Sequence, residues 1–115
     1  MSLSCGIRFL MEPQRSLAFG SIGTSYMSIG SALTKPIRMY ELHNLTDISL
    51  QFSIDGIEDH FPLPANGHKV IDVVSNNTSN TTGWYIGIGT SFYVKQLGLV
   101  APSYGSVYLC TAYGE

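Results

Sequence analysis

The sequence predicts an all-β chain, a single antiparallel β-sandwich or jelly roll of about seven to eight strands over residues 1–115. Three observations carry that expectation. Apolar and polar residues alternate with period two along Ile48 to Ile54, the mark of a strand with one buried face. Pro, Gly and Asn punctuate the chain at the spacing of short strands, about 8–12 residues. Charged residues are only 12% of the chain, about half the ~25% of an ordinary soluble domain, which argues against coiled coils, helical bundles and disordered segments. With 115 residues there is room for one core and not for two.

Taken in order, short strands are expected near Ile7 to Met11 and within Leu17 to Ile29, with glycines at 20, 23 and 30 between and after them. Residues 1–14 are read as a terminal arm or an edge strand, because Ile7, Phe9 and Met11 alternate between Gly6 and Pro13. Ile37 to Leu45 reads as a strand entered through Lys35-Pro36. The strand Ile48 to Ile54 runs into Asp55-Gly56, a dipeptide suited to a type I′ hairpin, and returns as Ile57 to Leu63. Pro62 and Pro64 place the end of that return strand at a sheet edge. Asn66-Gly67 predicts a second such turn into Lys69 to Val74, completing a three-stranded meander. A polar loop, Ser75 to Gly83, precedes strands at Trp84 to Ile88, Ser91 to Leu97 and Ser106 to Tyr113. No helix is predicted.

Charge and motifs exclude several functions. Six basic and eight acidic residues are scattered, with no dense positive face for phosphates and no polybasic membrane patch. No apolar run approaches the ~20 residues that span a bilayer, and the N-terminus lacks the layout of a secretory signal. The Asn-x-Ser/Thr matches at Asn44, Asn76, Asn77 and Asn80 are therefore read as turn and loop chemistry. Cys5 and Cys110 are expected as thiols, although terminal strands lying side by side would permit a disulfide.

Chemistry is sparse. Asp55, Glu58, Asp59, His60, His68 and Asp72 cluster on the expected hairpin, where His60 and His68 could approach. Their spacing matches no diagnostic metal set, and a solvated edge that discourages stray strand pairing is the simpler reading. No nucleophile elbow occurs, and Gly87-Ile88-Gly89 opens no helix that could cradle phosphate. No enzyme activity, cofactor, metal or small-molecule ligand is expected. The seven tyrosines and Trp84 suit half-buried sheet faces, protein interfaces or a sugar platform at Trp84-Tyr85. A surface so poor in charge suggests one covered by partners.

Several stretches add a resemblance: Leu33-Thr34-Lys35-Pro36, Asn44-Leu45-Thr46-Asp47, Phe52-Ser53-Ile54-Asp55-Gly56, Leu63-Pro64-Ala65, Gly89-Thr90, Tyr93-Val94-Lys95, Gly105-Ser106-Val107-Tyr108 and Tyr113-Gly114. Together, from about Gly23 to Gly114, the chain resembles small virion proteins of tailed bacteriophages. In size and strand count it resembles the jelly-roll cement proteins that decorate short-tailed phage capsids. The resemblance implies a decoration protein that binds the major capsid protein at subunit junctions. Head-completion, tail-adaptor or baseplate parts, or a carbohydrate-binding module, are the alternatives. It further implies a virion location after assembly in the host bacterial cytoplasm, and a homo-oligomer, dimer or trimer. Ile7, Phe9, Met11, His60, Asn66, Asn76, Asn77 and Thr82 are the expected partner-interface residues.

Overall fold

A computed structural model describes residues 8–72 and 85–114. Among the described residues, nine strands build two antiparallel sheets: β1 (Phe9–Met11), β2 (Arg15–Ala18), β3 (Met27–Ser28), β4 (Met39–Asn44), β5 (Leu50–Ser53), β6 (Phe61–Leu63), β7 (His68–Asp72), β8 (Tyr93–Gln96) and β9 (Ser106–Gly114). Sheet A has the order β1-β9-β4-β7, with β2 also on β9, and sheet B the order β3-β8-β5-β6. Strand β2 pairs with β9, β3 with β8, β4 with β7 and β5 with β6. That pairing is one long hairpin, β2 to β5 running out and β6 to β9 running back. It is rolled up so that β4 also meets β9 and β5 meets β8. The architecture is a jelly roll. Among the described residues the only helical turn is a 3-10 turn at Phe19–Ser21.

Alternation places the core. On β4, Tyr40 and Leu42 point inward, on β9 Val107 and Leu109, on β5 Leu50 and Phe52, and on β8 Val94, all buried. Phe92 meets the Tyr40 ring edge-on with centroids 4.7 Å apart, a favoured aromatic geometry. Ile29, Leu33 and Ile37 close the layer between the sheets.

Strands β1 and β2 are one bulged strand. Met11 faces Ala112 and Arg15 faces Leu109, so three residues of the first oppose two of the second. Pro13, which has no N–H to give, lies in the bulge. The N-terminal segment, as far as it is described, is thus an edge strand on its own chain's β9.

The expected meander is not formed. Strand β6 pairs with β5 in sheet B, while β7 pairs with β4 in sheet A. Asp55-Gly56 does mark the tip of the long hairpin, but the connection is a seven-residue loop, Ile54 to His60, and not a two-residue turn. Only Gly56 there has positive φ (77°), whereas a type I′ turn needs two such residues. The reason is local side-chain chemistry. The Asp55 carboxylate accepts hydrogen bonds from Ile57 N and Glu58 N, and Ser53 Oγ accepts from Asp55 N and Gly56 N. These bonds compete with ladder formation, so the return strand starts at Phe61 and not at Ile57. Likewise Pro64 to Gly67 is a β-turn closed by Gly67 N to Pro64 O at 2.9 Å. With Asn66 at φ 62° it has the positive φ of a type II turn at its third residue, and it carries the chain from sheet B to sheet A. Of the expected strand at Trp84 to Ile88, the described part makes one bridge, Ile37 to Ile86.

Asn44 ties the two sheet-crossing corners together. Its Nδ2 donates to the carbonyls of Ile48, Leu63 and Pro64 at 2.9–3.1 Å, and its Oδ1 accepts from the Thr46 amide and hydroxyl. Asn44 and Thr46 are both fully buried, so this Asn-x-Thr is corner chemistry. The matches at Asn76, Asn77 and Asn80 lie outside the described residues. Replacing Asn44 by Ala strands buried carbonyls without donors and is expected to cost about 2–3 kcal/mol. The urea midpoint should fall with the m-value unchanged.

Candidate partner-binding face

The outer face of sheet A carries exposed apolar side chains around a shallow groove. Strand pairing sets it out as rows. Met11 lies beside Ala112, and Ala112 beside Met39. Cys110 lies beside Glu41, and Glu41 beside Val70. Tyr108 lies beside His43, and His43 beside His68. Phe9, Met11 and Val70 are exposed, whereas Ala112 is only 4% exposed although its position points outward. Phe9, Met39 and Ala112 therefore form a groove with Ala112 as its floor, extended on one side by Met11, Val70 and Cys110. On the other side Arg38, Asp72 and Tyr113 line a recess of about 370 Å³.

Polar groups are few here and mostly engaged with one another. His43 Nε2 lies 2.7 Å from Glu41 Oε1, and the His43 and His68 rings stack at 5.6 Å. Burial, and then the charge of Glu41, push the Cys110 thiol above its ordinary value, so it stays a neutral, weakly nucleophilic group. Arg38 is the exception: its Nε is buried without a hydrogen-bond partner.

The interface residues expected from sequence fall in different places. Phe9 and Met11 join the groove. His60 sits in the tip loop of sheet B, where its Nδ1 accepts from Ile54 N at 2.9 Å; that nitrogen serves loop closure. Asn66 lies at the other end of β6, in the turn to β7. Ile7, Asn76, Asn77 and Thr82 lie outside the described residues, as do Cys5 and Trp84. His60 and His68 do not approach as hairpin neighbours, because β6 and β7 belong to different sheets. His68 stacks on His43 instead, and among the described residues no three His, Cys, Asp or Glu side chains are grouped to hold a metal.

Sequence reasoning missed Met39, Val70, Ala112 and Arg38 as face residues. The alternation of β4 around Tyr40 and Leu42 was a usable signal for Met39, but the pairing of β7 with β4 was not. It also passed over the loop after β8, where Leu99 is 98% and Val100 67% exposed. The Gln96 side chain donates to Gly98 O at 2.8 Å, and Ser103 N donates to Asp47 at 2.8 Å, so the loop is held at both ends.

Fold and face together define a charge-poor jelly-roll module with apolar contact surface at both ends. No family model, no curated protein and no solved structure matches the chain.

Proposed function

We propose that the protein is a structural component of a tailed-bacteriophage virion, a decoration protein that seats at junctions of the capsid shell and holds them together. The observation that carries this reading is the placement of exposed apolar side chains. Phe9, Met11 and Val70 lie towards one end of sheet A, and Leu97, Leu99 and Val100 at the other end of the module. A protein that braces a junction needs two contact sites on a stiff spacer, and the rolled double sheet supplies the spacer. Jelly rolls also serve lectins and other proteins, so the fold alone does not choose the function. The low charge and the resemblance to phage virion proteins favour a permanently covered surface. Weak contacts of this kind gain strength when many copies are repeated over a shell.

The test is the number of copies per purified virion, measured by quantitative mass spectrometry against the major capsid protein. A decoration protein is expected in near-stoichiometric ratio to the shell. A count matching a single ring, about a dozen or fewer as closed cyclic symmetry implies, would move it to the head–tail junction. Absence from the particle would overturn the virion reading altogether.

A further inference from the structure

We infer that a recess on the outer face of sheet B binds one neutral sugar residue. Strand pairing sets Gln51 of β5 between Lys95 of β8 and Pro62 of β6. Alternation turns Gln51 and Lys95 outward, opposite the buried Leu50, Phe52 and Val94. Thr24 ahead of β3, Asp59 of the tip loop, and Gln96 and Leu97 at the end of β8 complete the walls of a recess of about 230 Å³. Gln96 N donates to Gly23 O at 2.8 Å, which holds the Thr24 segment against β8. Sites for drug-sized ligands begin at about 300 Å³, so this recess suits a single ring.

The observation that points to a ligand is Gln51. It is only 8% exposed and lines the recess, yet its carboxamide has no hydrogen-bond partner among the described residues. A polar side chain so far withdrawn from water ordinarily has one. Gln96, 7% exposed, is half engaged: its Nε2 donates to Gly98 O at 2.8 Å, and its Oε1 has no donor among the described residues. Asp59 is half engaged too. The Tyr26 hydroxyl donates to Asp59 Oδ1 at 2.6 Å, and Lys95 Nζ lies 3.4 Å from the same oxygen, so Oδ2 has no donor among the described residues. The Tyr26 hydrogen bond, with Lys95 behind it, keeps this carboxyl below its ordinary range, and it remains an acceptor at neutral pH.

These open groups select the ligand. Asp59 and Lys95 set opposite charges side by side, which favours neither an anion nor a cation. The open acceptors (Asp59 Oδ2, Gln96 Oε1 and Gln51 Oε1) call for several donors, while Gln51 Nε2 calls for an acceptor. A hydroxyl answers both, with one donor and two lone pairs, and a sugar ring carries several on adjacent carbons. Leu97, 48% exposed, offers an apolar wall for the C–H face of the ring. No aromatic side chain is among the described residues lining the recess, so a nucleobase would have no ring to stack on. Tyr85, part of the sugar platform that the sequence suggests, is not among them either. The inference concerns the isolated chain and does not depend on a capsid.

Titration of the isotope-labelled full chain with the methyl glycosides of glucose, galactose, mannose, rhamnose and N-acetylglucosamine, followed by amide NMR shifts, tests it. At least one of them is expected to bind in the millimolar range, with shifts centred on Gln51, Asp59, Lys95 and Gln96. Gln51→Leu keeps the bulk of the side chain and removes its donor and acceptor, and Asp59→Ala removes the carboxylate. Each should weaken binding about tenfold or more, the equivalent of one or two lost hydrogen bonds. If Gln51→Leu fails to fold by circular dichroism, the wild-type shift map and the exposed Asp59→Ala decide. A trisaccharide ending in the preferred sugar separates two sources: tighter binding than the methyl glycoside supports the end of a glycan, and equal binding supports a free sugar. No shifts with any of the five, as from a recess that holds water only, would overturn the inference. So would shifts centred elsewhere, or binding that both variants leave unchanged. The virion copy number would be untouched by any of these results.

Discussion

Gly105→Ala is expected to be the most damaging single-methyl substitution in this protein. A Cβ at that position would lie 2.0 Å from Leu45 O and 2.9 Å from the Thr46 Cα, and neither is a flexible side chain that could step aside. The backbone there has φ 93°, a conformation that disfavours any side chain. Nor can the surroundings shift easily. Gly105 O accepts from Phe19 N, and Leu45 N donates to Ser106 O, so the start of β9 is bonded on both flanks. Relieving the clash means breaking this corner, where β4 hands the chain to β5. The expected cost is about 4 kcal/mol or more, a fall in Tm on the order of 15 °C, or failure to accumulate in soluble form. Gly98→Ala is the control, since a Cβ there meets nothing within 4 Å and its φ is not positive. It should be near neutral, and comparable thermal melts for the two variants would refute the steric account.

The second large effect centres on the buried pair Glu12 and Arg15. Both side chains are nearly inaccessible, and Arg15 Nη1 lies 3.3 Å from Glu12 Oε1. Each is further satisfied: Arg15 donates to the carbonyls of Ser31 and Ala32, and Glu12 accepts from the Thr34 amide and from the hydroxyls of Thr34 and Thr111. The network sews the bulge between β1 and β2 to β9 and to the loop before β4. Glu12→Ala leaves a buried guanidinium without its counter-charge and should cost about 3–5 kcal/mol.

The same network sets a pH dependence. Burial pushes the Glu12 carboxyl up, but the hydrogen bonds from Thr34 and Thr111 and the charge of Arg15 outweigh it and hold it at about 2. A depressed folded-state pKa contributes stability that is complete above the unfolded value of 4.5 and is lost as pH falls towards about 2. The contribution is on the order of 3 kcal/mol. Asp55, also held at about 2, chiefly by the Ile57 and Glu58 amides, titrates over a similar range. The measurement is therefore a difference: urea denaturation of wild type and Glu12→Gln at steps from neutral pH to pH 2. The gap between them should narrow through that window, and a gap that stays constant would contradict the assignment.

The features legible in the sequence were those decided by neighbours in the chain. Period-two alternation along Ile48 to Ile54 exposes which side chains point to the core, because a strand's two faces are set by the pleat alone, although Gln51 and Ser53 on its opposite face are buried as well. Turn residues marked the corners, and Phe9 and Met11 were readable as outward members of a strand. The type of turn was less legible, since side-chain bonds at Ser53 and Asp55 build a loop where the dipeptide suggests a two-residue hairpin.

Partnership was left to the tertiary structure. Sequence adjacency favours pairing β6 with β7, but β7 pairs with β4, and the Asn44 amide bonds to both crossing corners. That choice puts Val70 and His68 beside Glu41 and His43, and with them the composition of the candidate face. The alternation of each strand follows from local backbone geometry, so the sequence by itself determined an all-β chain and its inward residues. Which strands lie together, and hence which outward residues form a groove, depends on contacts between residues far apart along the chain. Glu12 with Thr111, and Gly105 with Leu45, acquire their importance only when the roll closes.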